Sequence, residues 1–319
     1  MPKPKARGDK TDGTSVTSGT DENLEAGPAP APTPAPGRHM PGLHIVATPI
    51  GNAADLGRRA LSVLSAADLI ACEDTRVTRK LMGLYGIRTP LLAYNDHNGE
   101  RVRPYLLERL REGAMVALVS DAGTPLVSDP GYKLVREVID ADLKVTVVPG
   151  PSAPIAALAL SGLPSDRFLF AGFLPPKTVA RRRDLQSLRE VQASLIFFES
   201  GPRLVASLAD MLAMLGDRKA AVARELTKIY EEVRRGTLGS LSEHYRVEGP
   251  PRGEIVVVIG PQEEAAVTQA AEADLDSKLR AALERGTLKE ASAAVAAELG
   301  LPRRQVYARA LALTGEEGR

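Results

Sequence analysis

The chain has 319 residues, a formal net charge of +1 (41 basic against 40 acidic residues) and 44% hydrophobic residues. This length allows two or three domains, and the near-neutral charge does not indicate a nucleic-acid binder, although a basic face can exist within a neutral total. One cysteine, Cys72, excludes an intrachain disulfide and fits a reducing, cytoplasmic compartment, and four scattered histidines predict no metal site. The N-terminus lacks the apolar core of a signal peptide, no apolar run approaches the ~20 residues of a membrane span, and the absence of Trp disfavours a stacking platform for single-stranded nucleic acid.

Residues 1–41 form a separate unit, rich in Pro and Ala near its end, that cannot bury a core, so we expect it to be disordered. From 42 to 163, short apolar runs alternate with amphipathic segments. The predicted strands cover 43–47, 69–72, 114–119 and 144–148, and the predicted helices cover 55–66, 100–112, 132–141 and 152–161. This alternation predicts an α/β domain whose mostly parallel sheet is covered on both faces.

A second α/β domain is predicted over 164–262. Its strands cover 167–172, 194–199, 219–226 and 254–259, and its helices cover 177–190 and 202–215. An acidic stretch rich in Gln and Ala, about 262–273, is predicted to be a linker. A helical module over 274–315 follows, in which 288–299 and 302–313 flank Gly300 and resemble a helix-turn-helix pair.

The polar loop Ser120–Gly131 is the most informative stretch, because it directly follows a predicted buried strand. Its glycines let the backbone approach a ligand closely, and ligands of open α/β sheets bind at the carboxyl ends of strands. The turns Thr48–Asn52 and Pro149–Ala153 follow two other strands and are either ligand loops or plain connectors. No dinucleotide fingerprint or phosphate loop is present, which leaves a nicotinamide dehydrogenase or an NTPase with little support.

Two further loops carry groups that suit acid–base chemistry. Glu73 and Asp74 stand beside Arg76 after the second strand, where they either orient a substrate or cap the next helix. Asp96 and His97 lie in an unbroken polar run, where the histidine is either a tuned base or a structural residue. In the second domain, charged residues at strand ends either line a cleft between the domains or are simply solvated.

Ten motifs occur in one order along the chain: ATPIGN (47–52), EDTR (73–76), NDHN (95–98), SDAGTPLVSDPG (120–131), PGPSA (149–153), LPSDRF (163–168), GFLPPK (172–177), FFES (197–200), ARELTK (223–228) and RGE (252–254). Together they resemble the ribosomal RNA small subunit methyltransferase I family, which belongs to the tetrapyrrole-methylase-like class of S-adenosyl-L-methionine (SAM) enzymes. The resemblance covers about residues 42–260 and the helical C-terminal unit. It departs from the family pattern at Ala47, where some members have Pro, and at Pro202-Arg203, where His-Arg is frequent.

The resemblance implies a two-domain α/β fold, distinct from the Rossmann-like methyltransferases, with SAM in the interdomain cleft and a small C-terminal helical module. The residues implied to contact SAM are Ile50, Gly51, Asp121, Ala122, Gly123, Thr124, Val127, Ser152, Ala153, Phe198, Glu199, Ala223, Arg224 and Glu254, with Gly253 beside the last. The implied reaction is 2′-O-methylation of a cytidine ribose in the decoding region of 16S rRNA. The implied partners are the small ribosomal subunit and a second copy of the chain, with no membrane.

A ribose hydroxyl is a poor nucleophile, so we expect a general base to assist its attack. The resemblance does not settle which residue this is. The candidates are Asp96 or His97, followed by Asp74 and Glu73, while the candidates for binding phosphate or the ribose neighbourhood are Arg76, Arg79 and Lys228.

RNA binding needs positive surface, and two helices offer it. One carries Lys177 and Arg181–Arg183, and the other begins with Arg303 and Arg304, although each is equally explained as a solvated helix face. Two other functions stay open. One is an enzyme of the same superfamily with a non-RNA acceptor, such as a corrin precursor or a modified translation factor. The other is a DNA-binding regulator, which would need a strongly basic recognition helix.

Overall fold

The first sheet has five parallel strands in the spatial order β3-β2-β4-β1-β5. The strands are β1 (Gly42–Val46), β2 (Leu69–Cys72), β3 (Leu91–Ala93), β4 (Met115–Val119) and β5 (Val145–Val148). The computed structural model describes residues 40–262 and 264–316, with side chains for all of these except 264–273 and 315–316. The predicted disorder of 1–41 therefore falls outside the described residues, apart from its last two.

Helices cover both faces of this sheet, as predicted. They are α1 (Arg58–Ala66), α2 (Thr75–Leu84), α3 (Gly99–Arg111) and α4 (Tyr132–Asp140). Leu64 of α1 and Met82 of α2 pack in the apolar cluster on one face, and Leu106 of α3 and Leu134 of α4 pack on the other. No bounds were predicted for α2, which was expected only as the helix that Asp74 caps, and β3, with three residues, was not predicted.

The second sheet is mixed, in the order β6-β7-β10-β8-β9, and only β6 and β7 are parallel. Its strands are β6 (Phe168–Phe173), β7 (Ser194–Ser200), β8 (Lys219–Arg224), β9 (Glu232–Thr237) and β10 (Glu254–Ile259), and one face carries α6 (Thr178–Ser187), α7 (Gly201–Leu215) and α8 (Leu238–Glu248). The strand predicted to reach residue 226 ends at Arg224, because Glu225 and Thr227 adopt positive φ angles of 49° and 65°. Two elements were not predicted from the sequence, namely β9, a polar edge strand, and α8.

The remaining helix of this part, α5 (Ala153–Ser161), leaves the first sheet and packs on the second. Its buried residues Ala157 and Leu158 join Ile196, Val256 and Val258 in one apolar cluster. The sequence of α5 is almost entirely apolar, and burial of that surface holds the two sheets together.

Three helices complete the described chain: α9 (Glu264–Leu283), α10 (Leu288–Leu299) and α11 (Arg303–Glu316). The linker predicted for 262–273 is wrong from Glu264 onward, because Ala, Glu and Gln favour a helix and α9 begins there. The predicted helix pair is confirmed. Gly300 ends α10 in the left-handed conformation, with φ 66°, and Val295 and Val306 pack in a cluster made only of residues from 275–313. Within the described residues, no helix combines the length and apolar character that crossing a membrane requires.

The start of α7 offers a test of packing between α7 and the loop before β10. A Cβ added at Gly201 would overlap the carbonyl oxygen of Pro251, which is backbone and cannot rotate away. We expect Gly201→Ala to destabilise the fold by about 1–3 kcal/mol, the usual cost of overpacking. Gly83→Ala is the control, because Gly83 lies in α2 with open space at its Cβ position. This substitution should raise the free energy of unfolding by roughly 0.5–1 kcal/mol. Thermal unfolding measures both, and an unchanged Tm for Gly201→Ala would contradict the packing described.

Candidate functional site

A cavity of about 360 Å³ lies where the carboxyl ends of β1, β4 and β5 face the second sheet. This volume is typical of a small-molecule site. The cavity is lined by Ile50, Ala122, Gly123, Thr124, Val127, Asp129, Ser152, Ala153, Pro154, Phe173, Phe198, Glu199, Ser200, Leu226, Gly253, Glu254, Ile255 and Val256.

Hydrogen bonds tie the loops from the first sheet together. Thr48 and Gly123 exchange two backbone bonds of 2.8 and 3.0 Å, so the loops after β1 and β4 pair as a short bridge. The Thr124 hydroxyl donates to the carbonyl of Pro151 over 3.1 Å, and this bond connects the loop after β5 to the loop after β4. The loops after these three strands therefore form one continuous wall of the cavity.

Lys228 joins the two sides of the cavity. Its ammonium group contacts the Glu225 carboxylate at 2.9 Å and the Glu254 carboxylate at 2.8 Å, and Glu254 lines the cavity. The stem of Lys228 packs so closely on Gly51 that an added Cβ there would lie 2.5 Å from its Cγ. The Asn52 amide donates to the Thr227 hydroxyl over 3.1 Å. Lys228, a candidate for phosphate binding, is thus paired with two carboxylates of the protein itself.

Backbone strain concentrates in the two loops that flank the cavity. Within the described residues, five non-glycine residues have positive φ; Leu126 and Ser128 lie in the loop after β4, and Glu225 and Thr227 lie in the loop after β8. Such conformations cost about 1–3 kcal/mol each and persist where the surrounding structure fixes them, often at functional sites.

Ten of the fourteen residues predicted to contact SAM line this cavity. They are Ile50, Ala122, Gly123, Thr124, Val127, Ser152, Ala153, Phe198, Glu199 and Glu254. The other four do not line it: Gly51 packs on Lys228, Ala223 is buried in the cluster with Ile50, Arg224 pairs with Glu232 at 3.0 Å, and the Asp121 carboxylate accepts from the Asp74 amide. Contact with the cofactor stays a prediction for all fourteen.

Seven lining residues were not among the predicted contacts: Asp129, Pro154, Phe173, Ser200, Leu226, Ile255 and Val256. Six of them belong to or directly adjoin one of the ten motifs, such as GFLPPK for Phe173 and ARELTK for Leu226. The motifs therefore identified the loops that surround the cavity, but only the structure shows which side chains line it.

Glu199 lines the cavity with its carboxylate already engaged by the protein. The carboxylate accepts from the Ser200 amide at 2.8 Å and from the Ser207 hydroxyl at 2.5 Å, and Arg203 lies 3.4 Å away. Because these groups belong to α7 and its N-terminus, Glu199 fixes the end of β7 against that helix and so supports the cavity wall.

Three carboxylates cluster at the carboxyl ends of β2 and β4. Burial raises the pKa of Glu73, and the negative charges of Asp121 and Asp129 raise it further. A hydrogen bond that the Glu73 carboxylate accepts from the Asp121 amide acts in the opposite direction. Burial likewise raises the pKa of Asp121 and of Asp129, the latter bonded to the Ser120 side chain. Asp129 also lines the cavity, so this carboxylate cluster and the cavity share a wall.

Asp74 plays the helix-capping role that the sequence left open. Its side chain accepts from the Arg76 amide at the start of α2 over 2.8 Å and contacts the Arg76 guanidinium at 2.6 Å. These bonds to Arg76 lower the pKa of Asp74 to about 2. Asp74 is therefore ionised and engaged, which makes it a poor proton acceptor.

Asp96 and His97 lie on an exposed turn that two asparagines build. The Asn95 side chain accepts from the amides of His97 and Asn98 at 3.2 and 3.3 Å, and the Asn98 side chain accepts from the Asn95 amide at 2.9 Å. The turn also connects to the EDTR loop, because the Asn95 side chain donates to the Glu73 carbonyl over 3.4 Å. Among the residues that the structure describes, no group of three or more His, Cys, Asp or Glu is placed to hold a metal ion.

Comparisons with known proteins identify the class. Residues 42–242 match the family model of tetrapyrrole (corrin/porphyrin) methylases, and residues 269–314 match the RsmI C-terminal HTH domain. The fold is similar to a cobalt precorrin-4 methyltransferase (20% identity, TM-score 0.52, 68% of this chain and 94% of that one) and to a diphthine synthase (18%, 0.54, 68% and 89%). The chain is therefore a SAM-dependent methyltransferase of the tetrapyrrole methylase class, with a helical module at its C-terminal side.

Relatives from two bacteria narrow the class to a family. A ribosomal RNA small subunit methyltransferase I of Mesorhizobium japonicum is 51% identical over 90% of this chain and 97% of its own length. The protein of the same name from Escherichia coli O157:H7 is 44% identical over 86% and 96%. The chain belongs to the ribosomal RNA small subunit methyltransferase I family, which confirms the predicted family, fold class and cofactor.

The cavity fits SAM by the chemistry of its lining. Apolar side chains such as Phe198 and Val256 suit the adenine ring, and the carboxylates of Asp129 and Glu254 suit a cofactor that carries two cationic groups. Gly123 and Gly253 line the cavity with φ of 82° and 105°, so the backbone is exposed to a ligand where an L side chain is strained. The N-terminus of α5 adds backbone N–H groups that suit the cofactor carboxylate.

Removing the Lys228 ammonium tests its role in the cavity. In Lys228→Met, Glu225 and Glu254 lose the cation between them, so the loop before β10 is held less firmly. We expect SAM to bind roughly fivefold more weakly, about 1 kcal/mol, because these groups are partly solvated. Arg246→Met is the control, since it removes the exposed ion pair with Glu243 on α8. Equilibrium dialysis with labelled SAM gives both affinities, and equal binding by Lys228→Met and the native chain would show that the ion pairs do not support the site.

Proposed function

We propose that this chain transfers the methyl group of SAM to the 2′-hydroxyl of a cytidine in the decoding region of small-subunit ribosomal RNA. The observation that carries the proposal is that Asp129 lines the cavity and also belongs to the carboxylate cluster, so the candidate base Glu73 lies within electrostatic reach of the cavity wall. The names of the relatives support ribosomal RNA of the small subunit as the acceptor. The family resemblance supports the ribose oxygen and the cytidine.

SAM supplies, when bound, a methyl group already activated on a sulfonium. The chain has to align the acceptor, exclude water and accept a proton. Alignment of this kind contributes ~7–11 kcal/mol and a positioned base contributes roughly 10²–10⁴-fold. The fixed loops after β1, β4 and β5 suit the first task, because hydrogen bonds between them leave little to reorganise on binding.

Among the four candidate bases, Glu73 has the best-suited surroundings. Its pKa is raised by burial and by Asp121 and Asp129, whereas Asp74 is held near 2 by Arg76. Asp96 and His97 are exposed on their turn and stand as alternatives. A raised pKa makes a carboxylate a stronger proton acceptor, so Glu73 is the base that we propose.

The RNA surface that we propose centres on the C-terminal module. Arg303 and Arg304 are exposed at the start of α11, and positive groups on a helix suit phosphate contacts. Arg181, in the basic patch predicted on α6, is buried and contacts Asp210 at 2.6 Å, so it is structural. Arg309 pairs with Asp276 at 2.6 Å, which weakens the DNA-regulator alternative further.

Three further parts of the proposal follow from the family. The functional units are the domains 42–163 and 164–262 and the module 274–315, the active form is a homodimer, and the protein acts in the cytoplasm, where its proposed substrate is made. Light scattering of the full chain tests the homodimer.

Methyl transfer to defined acceptors tests the function. With labelled SAM, we expect label in the 16S rRNA of small subunits, at one cytidine, and resistance of the following phosphodiester to alkali, because a 2′-O-methyl group removes the attacking hydroxyl. Free 16S rRNA and assembled subunits are compared in parallel. Label in a corrin precursor instead, or on a base rather than a ribose, would refute the proposal.

Variants of the carboxylate cluster test the base. We expect Glu73→Gln to lower kcat roughly 10²–10⁴-fold with SAM affinity kept, and Asp74→Asn to have a smaller effect because Asn still caps α2. The base acts deprotonated and its pKa is raised, so activity should fall as the pH drops through a value above the ordinary glutamate range.

Asp121→Asn provides the matched test of this pH dependence. Asn keeps an oxygen for the Asp74 amide and removes one charge that raises the Glu73 pKa, so the acid limb should move to lower pH. A full kcat in Glu73→Gln, or a large loss in Asp96→Ala and His97→Ala alone, would assign the base to the NDHN turn.

A further inference from the structure

All five phenylalanines of the chain lie in β6 and β7, and two of them, Phe168 and Phe173, are exposed. Phe173, the last residue of β6, is 58% exposed and lines the cofactor cavity. Phe198, which also lines the cavity, is only partly exposed and packs against two other rings. Phe173 thus presents an exposed aromatic ring at the rim of the cavity, and a ligand that covers the ring buries apolar surface.

A bulge in β6 directs this ring toward the cavity. The register with β7 shifts between Phe170 and Gly172, and Gly172 has a φ of 65°. Side chains three residues apart in a regular strand point to opposite faces, whereas one extra residue brings them to the same face. Accordingly Phe170 and Phe173 both contact Phe198, with ring centroids 4.9 and 5.2 Å away.

The same bulge brings Phe173 to the carboxylate end of the cavity. A Cβ added at Gly172 would lie 3.1 Å from the Ser128 hydroxyl, so β6 touches the strained loop after β4 at this point. Asp129, the next residue of that loop, and Phe173, the next residue of β6, line the same cavity. The exposed ring therefore lies at the end where the carboxylate cluster stands.

We propose that the base of the acceptor nucleotide stacks on Phe173, which orients its ribose toward the carboxylate cluster. This inference rests on the proposed RNA acceptor. The buried and half-buried apolar residues, such as Leu226 and Val256, suit the cofactor, and the exposed ring is open to a ligand that arrives from solvent. The absence of Trp disfavours a multi-ring platform, but one aromatic residue suffices to hold one unstacked base.

Three variants and a control test the proposal. We expect Phe173→Ala to raise the KM for the RNA acceptor roughly 5- to 150-fold, the loss of one base–aromatic stack of about 1–3 kcal/mol, with SAM affinity changed less than about twofold. Phe173→Tyr should keep a KM for the RNA acceptor near the native value. Phe173→Leu keeps apolar packing on Phe198, so its KM should lie between the native value and that of Phe173→Ala. Phe168→Ala is the control, because Phe168 lies in the same strand, is 45% exposed and does not line the cavity.

Each other outcome overturns the inference in a distinct way. A weaker SAM affinity in Phe173→Ala that matches the rise in KM would assign the ring to the cofactor. A native KM in Phe173→Ala, or an equal rise in Phe168→Ala, would show that Phe173 does not hold the base, and dissociation of a dimer by Phe173→Ala would assign the ring to a second copy of the chain. If the native chain transfers no methyl group to ribosomal RNA while it still binds SAM, the proposed function fails and the inference with it.

Discussion

The packing of α5 against the second sheet is the interaction on which the site depends. Ala157 and Leu158 are buried against Val256 and Val258, while the first turn of the same helix lines the cavity. Ile50 belongs both to this apolar cluster and to the cavity wall. Burial of apolar surface is non-directional, so it brings the two sheets together, and the loops then determine the shape of the space that is left.

Those loops are shaped by strain that their neighbours hold in place. Leu126, Ser128, Glu225 and Thr227 have left-handed backbone conformations that L residues rarely adopt. Backbone bonds between Thr48 and Gly123 fix one loop, and the ion pairs of Lys228 fix the other. A relaxed loop would be easier to form, but it would have to order itself on binding, at a cost in affinity.

The fold was largely predictable from the sequence, and the site only in part. Apolar runs such as Glu254–Ile259 and Leu69–Cys72 have the predicted bounds, because continuous buried strands are a strong signal. The pattern of β9 is polar because that strand lies at an edge, and Ala, Glu and Gln in α9 are helix formers that also occur in linkers. The motifs identified the loops around the cavity, but Phe173 depends on a one-residue bulge and the Glu73 pKa on carboxylates from another loop, which are tertiary effects.

The negative charge of the carboxylate cluster restricts how RNA can bind near the cavity. Negative charge at Glu73, Asp121 and Asp129 repels a polyanion, so phosphate contacts are unfavourable at the cavity itself. The raised pKa values of Glu73 and Asp121 reduce the negative charge of the cluster. The positive charge of Arg76 is already paired with Asp74. An uncharged contact, such as the proposed stack on Phe173, is therefore better suited to hold the acceptor near the cavity, and the proposed phosphate contacts lie further away on the C-terminal module. In the arrangement that we propose, different parts of the molecule carry affinity and alignment, and a near-neutral chain needs only local positive surface to act on RNA.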